Sequence, residues 1–107
     1  MIVLKGKPIS VNKLYQGRRF LTDEGKAVKL DYGIQATRQN RKPLEGELEV
    51  EISFYLKNKR SDIDNCLKAT LDILSGILWK DDSQIMELLV HKIIDKEERV
   101  EIEARRI

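Results

Sequence analysis

The fold of this chain is decided by one alternating stretch, Leu48-Glu49-Val50-Glu51-Ile52-Ser53-Phe54-Tyr55-Leu56. Aliphatic or aromatic side chains occupy every second position, and a glutamate, a serine or a tyrosine stands between them. Because successive side chains of a β-strand point to opposite faces of the sheet, the alternation predicts a half-buried strand. One face of the sheet is therefore expected to be covered, and the other face is expected to be wetter.

The sequence after this strand predicts an amphipathic helix. Ser61 and Asp62 are both residue types that favour a helix N-cap. Apolar residues then recur with the 3.6-residue period of a helix, at Ile63, Leu67, Thr70 or Leu71, Leu74, and Ile77 or Leu78. On such a helix Asp64, Lys68 and Asp72 lie on one polar stripe.

The rest of the chain completes the element order β-α-β-α-β-β. Residues 2–5 predict a strand, residues 8–20 a loop with a short strand at its end, and Thr22 caps a helix that runs to Asn40. The inward positions of that helix are predicted to be Ala27, Leu30, Ile34 and Thr37. Residues 85–94 and 99–107 predict two further strands. The expected fold is one small α+β domain over residues 1–107, with two helices on one face of a mixed sheet of about four strands and one edge strand free to join a partner.

Composition is that of a small globular protein. The 107 residues are 41% hydrophobic and 36% charged, with a net charge of only +2, so DNA binding would depend on local clusters of basic residues. The single cysteine, Cys66, excludes an intrachain disulfide, and the single histidine, His91, argues against a zinc site or a His-based triad. Without a signal-like or membrane-spanning apolar run, a cytoplasmic protein without membrane contact is expected.

Acidic residues occur at both ends of the predicted second helix, in Asp62-Ile63-Asp64-Asn65-Cys66-Leu67-Lys68 and in Asp81-Asp82-Ser83-Gln84. Mg²⁺ takes oxygen ligands, commonly one or two carboxylates with water and a substrate phosphate. An ammonium nearby would stabilise the extra charge of a phosphodiester transition state. The alternatives are helix caps, a surface i, i+4 pair and a plain turn. Asp82 reaches the first pair only if the chain turns back beside the helix.

These residues carry a resemblance to a known family. The run Asp62-x-Asp64-Asn65-x-x-Lys68, with Asp72 and Asp81-Asp82-x-Gln84 after it, resembles the signature of the RusA family of Holliday-junction resolvases, which are small phage-related endodeoxyribonucleases. Near the N-terminus, Pro8-Ile9-Ser10-Val11-Asn12-Lys13-Leu14-Tyr15 is similar to a second family element, and Thr22-Asp23-Glu24-Gly25 is similar to a third. Val28 stands where the family often has an aromatic residue.

The resemblance implies a role for each matched residue. Asp62, Asp64 and Asp82 would be the metal-binding carboxylates, and Lys68 would be the essential lysine. Supporting roles fall to Asn65, which would fix the loop or the helix start, and to Asn12 and Tyr15.

Basic clusters near these residues are candidate DNA contacts. Lys57, Lys59 and Arg60 immediately precede the acidic pair, and Lys13, Arg18 and Arg19 lie in the N-terminal loop. Such side chains position a duplex through its phosphates. The alternative for each cluster is a solvated face. A third cluster, at residues 38–42, equally suits the C-terminal end of a helix.

The resemblance implies a homodimeric, structure-selective endodeoxyribonuclease that uses Mg²⁺, or Mn²⁺ in its place, to cut four-way DNA junctions in recombination and repair. A two-fold protein would present two equivalent sites to a two-fold junction. A nuclease for other branched DNA, a non-catalytic DNA-binding or assembly protein on the same fold, and a β-edge interaction module stay as alternatives. A prophage setting and host repair are both compatible with the sequence.

Overall fold

The computed structural model describes residues 1–17 and 20–107. The strands are β1 (Ile2–Lys5), β2 (Tyr15–Gln16), β3 (Phe20–Leu21), β4 (Leu48–Leu56), β5 (Ile85–Ile94) and β6 (Arg99–Arg106). The helices are α1 (Val11–Leu14), α2 (Asp23–Gln39) and α3 (Ile63–Leu74), and a 3₁₀ turn covers Asp82–Gln84. The main sheet has the strand order β1-β6-β4-β5, and β2 and β3 form a separate two-stranded sheet. The predicted α+β order is confirmed. The N-terminal segment, predicted as a loop with a short strand at its end, contains α1 and the two short strands β2 and β3.

Strand β4 is the centre of the molecule. It pairs parallel with β5 on one side and antiparallel with β6 on the other. Its side chains at Leu48, Val50, Ile52, Phe54 and Leu56 are at most 3% exposed, while the residues between them are half-buried. The alternation in the sequence therefore predicted this strand and its buried face correctly.

Helix α3 connects the two parallel strands and covers the buried face. Its buried side chains include Cys66, Ala69, Ile73 and Leu74. The helix ends at Leu74, before the predicted end, because Ser75 is extended and Gly76 has a φ of 86°. Trp79 follows this turn and is fully buried in the core. Among the described residues, no helix is both long enough and apolar enough to cross a lipid bilayer.

The predicted inward face of α2 is wrong. Leu30 is 67% exposed and Ile34 is 44% exposed, and Ala27 and Thr37 also face the solvent. The buried residues of this helix are instead Gly25, Tyr32 and Ala36. The helix is thus rotated about its axis relative to the prediction. The physical cause is the hydrogen bonds that two of its glutamines make to the edge of the sheet.

Those glutamines close one edge of the main sheet. The side-chain amide of Gln39 accepts a hydrogen bond from the backbone N–H of Val3 at 2.8 Å and donates to its carbonyl oxygen at 2.7 Å. Gln35 makes the same pair of hydrogen bonds with Lys5, at 2.7 and 2.9 Å. Each amide replaces the hydrogen bonds of a neighbouring strand, so the outer side of β1 is occupied.

The opposite edge of the sheet is open. Within residues 1–17 and 20–107, strand β5 pairs with β4 only, and its apolar side chains are unusually exposed for a strand. The exposed fractions lie between 37% and 57% for Met86, Leu88, Leu89, Ile93 and Ile94. The register of β5 with β4 places Leu88 and Ile94 on the helix-covered face and Leu89 and Ile93 on the open face. An open edge that is apolar on both faces is a site where a further strand can pair.

Candidate active site

Two of the predicted metal-binding carboxylates lie two residues apart at the start of α3. The chain leaves β4 after Leu56 and enters α3 at Ile63, and Asp62 is the N-cap residue with an extended backbone. The Asp62 side chain makes no capping hydrogen bond. Asp62 and Asp64 are both exposed, and neither takes part in an ion pair within the part of the chain that the structure describes. Both carboxylates are therefore available to a ligand, at the positive end of the helix dipole.

Basic residues surround this pair on two sides. Lys68 is exposed and lies one helical turn after Asp64 on the same stripe. Lys57, Lys59 and Arg60 are exposed in the loop that leads to Asp62. Positive charge thus flanks the exposed acidic pair.

Hydrogen bonds from β5 and from within the loop fix the path of this basic segment. The Lys92 ammonium donates to the carbonyl oxygens of Lys59 and Ser61, both at 3.0 Å. The backbone N–H of Arg60 donates to the Asn58 side chain at 3.0 Å. Because these contacts use backbone atoms of Lys59 and Arg60, the charged ends of those two side chains do not take part in them.

The third predicted carboxylate, Asp82, lies in a different place and is held by a buried tryptophan. The indole Nε1–H of Trp79 donates to Asp82 Oδ1 at 2.8 Å. Trp79 is fully buried, so its ring can hardly move, and Asp82 is half-buried beside it. The hydrogen bond orients Oδ1 of Asp82 and does not involve the second carboxylate oxygen.

The neighbouring residues of the 3₁₀ turn have structural tasks. Asp81 caps the turn, because its side chain accepts from the backbone N–H of Ser83 at 3.3 Å. The Gln84 amide accepts from the backbone N–H groups of Lys80 and Asp81 at 2.8 and 3.0 Å, and it donates to the carbonyl oxygens of Leu44 and Gly46 at 3.0 Å. Gln84 therefore attaches the turn to the segment that precedes β4.

A single chain does not bring Asp82 to Asp62 and Asp64. The acidic pair lies at the N-terminal end of α3, whose 12 residues rise about 18 Å along the helix axis. Asp82 lies beyond the other end of that helix, immediately before Ile85, which pairs with the first residue of β4. Accordingly, residues 1–17 and 20–107 contain no group of three or more His, Cys, Asp or Glu side chains that could hold a metal ion.

The N-terminal motif residues pack against α2 and α3. Thr22 caps α2 by accepting from the Gly25 N–H at 2.8 Å, and its own hydroxyl donates to the Lys13 carbonyl oxygen at 2.5 Å. A Cβ at Gly25 would collide with the Leu14 carbonyl oxygen, so only glycine allows this close approach of α1 to α2. The two motif elements are therefore fixed to each other.

Tyr15 joins this N-terminal unit to the polar stripe of α3. Its hydroxyl donates to Asp72 Oδ2 at 3.2 Å, and burial, followed by the Asp72 charge and this hydrogen bond, raises the pKa of the tyrosine. Asn12 and Lys13 are exposed on α1, and Asn65 is half-buried in the first turn of α3. Arg18 and Arg19 lie outside the described residues.

The open face of the main sheet is acidic. The register aligns five glutamates there, which are Glu49, Glu51, Glu87, Glu101 and Glu103. Arg99 lies 3.6 Å from the centroid of the Tyr55 ring and bonds to Glu101 at 2.8 Å. His91 and Arg105 contact Glu51 and Glu49 at 2.7 and 3.0 Å. Five carboxylates on one face disfavour the approach of a polyanion to that face.

Comparison with known proteins identifies the family. Residues 5–105 match the family described as Endodeoxyribonuclease RusA, and this chain belongs to that family. The chain is also similar to the uncharacterised protein YqaN of Bacillus subtilis (strain 168), with 40% identity over 48 residues. That similarity covers 45% of this chain and 34% of YqaN, so it spans about a third of the length of that relative.

Sequence reasoning missed two features of the site. It did not find the hydrogen bond from Trp79 to Asp82, although the spacing of three residues was a possible signal. It also did not find that Gln35 and Gln39, at i, i+4 spacing, close the β1 edge. The glutamine contacts depend on a strand that is distant in the sequence and that only the folded chain brings near.

Proposed function

We propose that this protein is a Mg²⁺-dependent endodeoxyribonuclease that resolves four-way DNA junctions in recombination and repair. The observation that carries the proposal is the free acidic pair of Asp62 and Asp64 with Lys68 one turn away, in a chain of the RusA family. Because the proposed substrate is DNA, we expect the protein to act in the cytoplasm. The chain would act as a single endonuclease domain.

The donor chemistry of the acidic pair fits a hard divalent cation. Two exposed carboxylates that make no ion pair with described residues are what Mg²⁺ uses when water and phosphate oxygens complete its shell, and Mn²⁺ accepts the same donors. The bound cation would supply Lewis-acid charge at the scissile phosphate. Asp62 and Asp64 would hold it, and the Lys68 ammonium would offset charge on the phosphate oxygens.

The basic residues would bind the DNA backbone on either side of the cut. Lys57, Lys59 and Arg60 adjoin the carboxylates, which repel a phosphate unless positive charge offsets them. Lys13 on α1 and the pair Arg18 and Arg19 would extend this contact along the duplex. Asn12, Tyr15 and Asn65 would hold α1 and the start of α3 in position rather than take part in the chemistry.

Asp82 would complete the site of a partner subunit in a homodimer. In one chain it lies at the far end of α3 from the acidic pair. Pairing of β5 with β5 of a second copy in the antiparallel direction would reverse the ends of the two strands. The start of one β5, with Asp82 before it, would then lie beside the end of the partner's β5, where the loop to Asp62 runs.

The two edges of the sheet support β5 as the interface. The outer side of β1 is occupied by Gln35 and Gln39, whereas β5 exposes both its unpaired backbone edge and five large apolar side chains. An isologous interface of this kind gives two equivalent sites. Leu89, which is 56% exposed, can be changed with little effect on the fold of one chain. We expect Leu89→Lys to sediment as a monomer and to lose Mg²⁺-dependent cleavage.

The test of the nuclease is cleavage of a labelled four-way junction compared with linear duplex, with Mg²⁺ and with chelator. We expect paired cuts on the junction only, and Asp64→Asn should abolish them while DNA binding is kept or improved because a repulsive charge is lost. Asp31→Asn, an exposed carboxylate on α2, is the matched control and should cut normally. Wild-type cutting by Asp64→Asn would contradict the metal assignment.

Two further comparisons separate the alternatives. Lys68→Ala should lose turnover but keep its fold and its binding of the junction. A group that acts mainly in the transition state contributes little to substrate binding. Retained turnover with weaker binding would make Lys68 a phosphate anchor. Equal cutting of flaps or nicked branches would indicate a nuclease for other branched DNA. Binding without cutting under every metal would indicate a non-catalytic DNA-binding protein.

A further inference from the structure

The outer side of α2 carries an apolar groove that the nuclease activity does not use. Its floor is formed by Leu21, Leu30, Gly33, Ile34 and Ile77, and its volume is about 620 Å³. Leu30 and Ile34 are 67% and 44% exposed, although the helical period would ordinarily turn such side chains toward the core. Contiguous exposed apolar surface of this kind marks an interaction site more often than a solvated face.

Gly33 keeps the floor of this groove open. It lies inside α2 with a helical backbone, so its conformation does not require glycine. A Cβ at this position would meet only the Cδ1 atom of Ile77, at 3.4 Å, which is ordinary van der Waals contact. Glycine in a helix interior destabilises the helix relative to alanine. The packing of this chain therefore gives no reason for glycine here, whereas the close approach of another molecule gives one.

The rim of the groove is basic. Lys26, Lys29 and Arg38 line it, and no carboxylate does so among the described residues. None of the three cations forms an ion pair with another residue of the segments 1–17 and 20–107. An occupant is therefore favoured by apolar side chains for the floor and by negative charge for the rim.

We propose that the α2 groove binds an acidic, amphipathic segment of a partner protein, with its apolar side chains on Leu30, Gly33 and Ile34 and its carboxylates on Lys26, Lys29 and Arg38. A helix that presents apolar residues at i, i+3 or i+4 and i+7 has the shape for such a groove. A DNA duplex fits less well, because its phosphates would lose water over an apolar floor that offers them no hydrogen bonds. This binding is independent of the proposed cleavage of junctions.

The test uses the whole ¹⁵N-labelled protein and synthetic peptides of about 16 residues, enough for roughly four helical turns. One peptide carries leucines at helical spacing with Asp and Glu elsewhere, and its counterpart has Lys in place of the acids. We expect the acidic peptide alone to shift amide signals along α2, with weaker binding as salt is raised. Equal binding of the lysine peptide, or shifts scattered over the molecule, would overturn the proposal.

Variants in the groove make the test specific. Lys29→Glu should weaken the acidic peptide by about tenfold or more, which corresponds to about 1.4 kcal/mol, whereas Lys42→Glu, an exposed residue outside the groove, should leave binding unchanged. Gly33→Ala should raise the melting temperature and weaken peptide binding, with junction cleavage unchanged. A lowered melting temperature would show that the fold itself needs this glycine and would overturn its assignment to the groove.

A competition with linear duplex DNA distinguishes the two classes of macromolecule. If the groove belongs to a protein partner, DNA should shift signals at the basic loop around Lys59 and leave those of α2 unchanged. Displacement of the acidic peptide by DNA, with shifts at Leu30 and Ile34, would assign the groove to nucleic acid instead. Loss of cleavage in Asp64→Asn would not alter either result.

Discussion

Mixing two inactive variants tests whether Asp82 serves the site of its partner subunit. Asp64→Asn and Asp82→Asn should each be inactive alone, because every site of either homodimer lacks one carboxylate. In a mixed dimer with β5 paired to β5, both substitutions fall in the same site, since the subunit with Asp64→Asn receives its third residue from the subunit with Asp82→Asn. The other site of that dimer then has all of its native residues.

The recovered activity can be calculated from this arrangement. Random exchange of equal amounts gives mixed dimers in about half of the population, and one of the two sites in each is intact. The mixture should therefore regain about a quarter of the wild-type number of sites. Because each mixed dimer has only one intact site, the product on a four-way junction should be a nick in one strand rather than a paired cut.

The assay is the initial rate of first-strand cleavage of a labelled junction after the two proteins are mixed and allowed to exchange subunits. The matched control is Asp64→Asn mixed with Lys68→Ala. Positions 64 and 68 both lie on α3 and so serve the same site of their own subunit. Every mixed dimer therefore has one change in each of its two sites, and no recovery is expected. Recovery by this control pair, or no recovery by the first pair after proven exchange, would refute the shared site.

Three further predictions concern side chains with defined contacts. Trp79→Phe keeps an aromatic ring but removes the N–H that orients Asp82, and residues that orient a metal ligand typically change affinity by about 10- to 100-fold. The Mg²⁺ concentration for half-maximal cleavage should rise by about tenfold, and the unfolding temperature should fall because the smaller ring leaves a cavity in the core. Gln39→Leu should lower the unfolding free energy by about 1 kcal/mol, because two exposed hydrogen bonds to the N–H and C=O of Val3 are exchanged for hydrogen bonds to water, and a urea titration measures it. The Glu97 backbone N–H, with a smaller effect of Arg99, lowers the pKa of Asp95; its stabilising effect is present above the usual aspartate pKa of about 3.9 and is lost as pH falls through the lowered value, so Asp95→Asn should remove part of the acid sensitivity of unfolding.

The buried face predicted from the sequence agrees with the structure for α3 and disagrees with it for α2. Both have a helical pattern, but α3 follows its pattern because its apolar stripe meets the sheet directly. In α2 the pattern of Leu30 and Ile34 predicted an inward stripe, and the hydrogen bonds of Gln35 and Gln39 to β1 turned the helix the other way. A period identifies a helix, but it does not identify which stripe has the better partner.

The sequence by itself determined the main strands, the two long helices and the chemistry of the candidate residues. The alternation in β4 follows from the geometry of an extended chain, and the alignment of Asp64 with Lys68 follows from one helical turn. Only the tertiary structure decided that Asp82 lies at the other end of α3, because the parallel pairing of β4 with β5 requires the connecting helix to run back along the sheet. The same topology leaves β5 at an open edge of the sheet and β1 at the closed edge. Hydrogen-bonding partners from distant parts of the chain, rather than the local sequence pattern, determine which edge has its backbone groups satisfied.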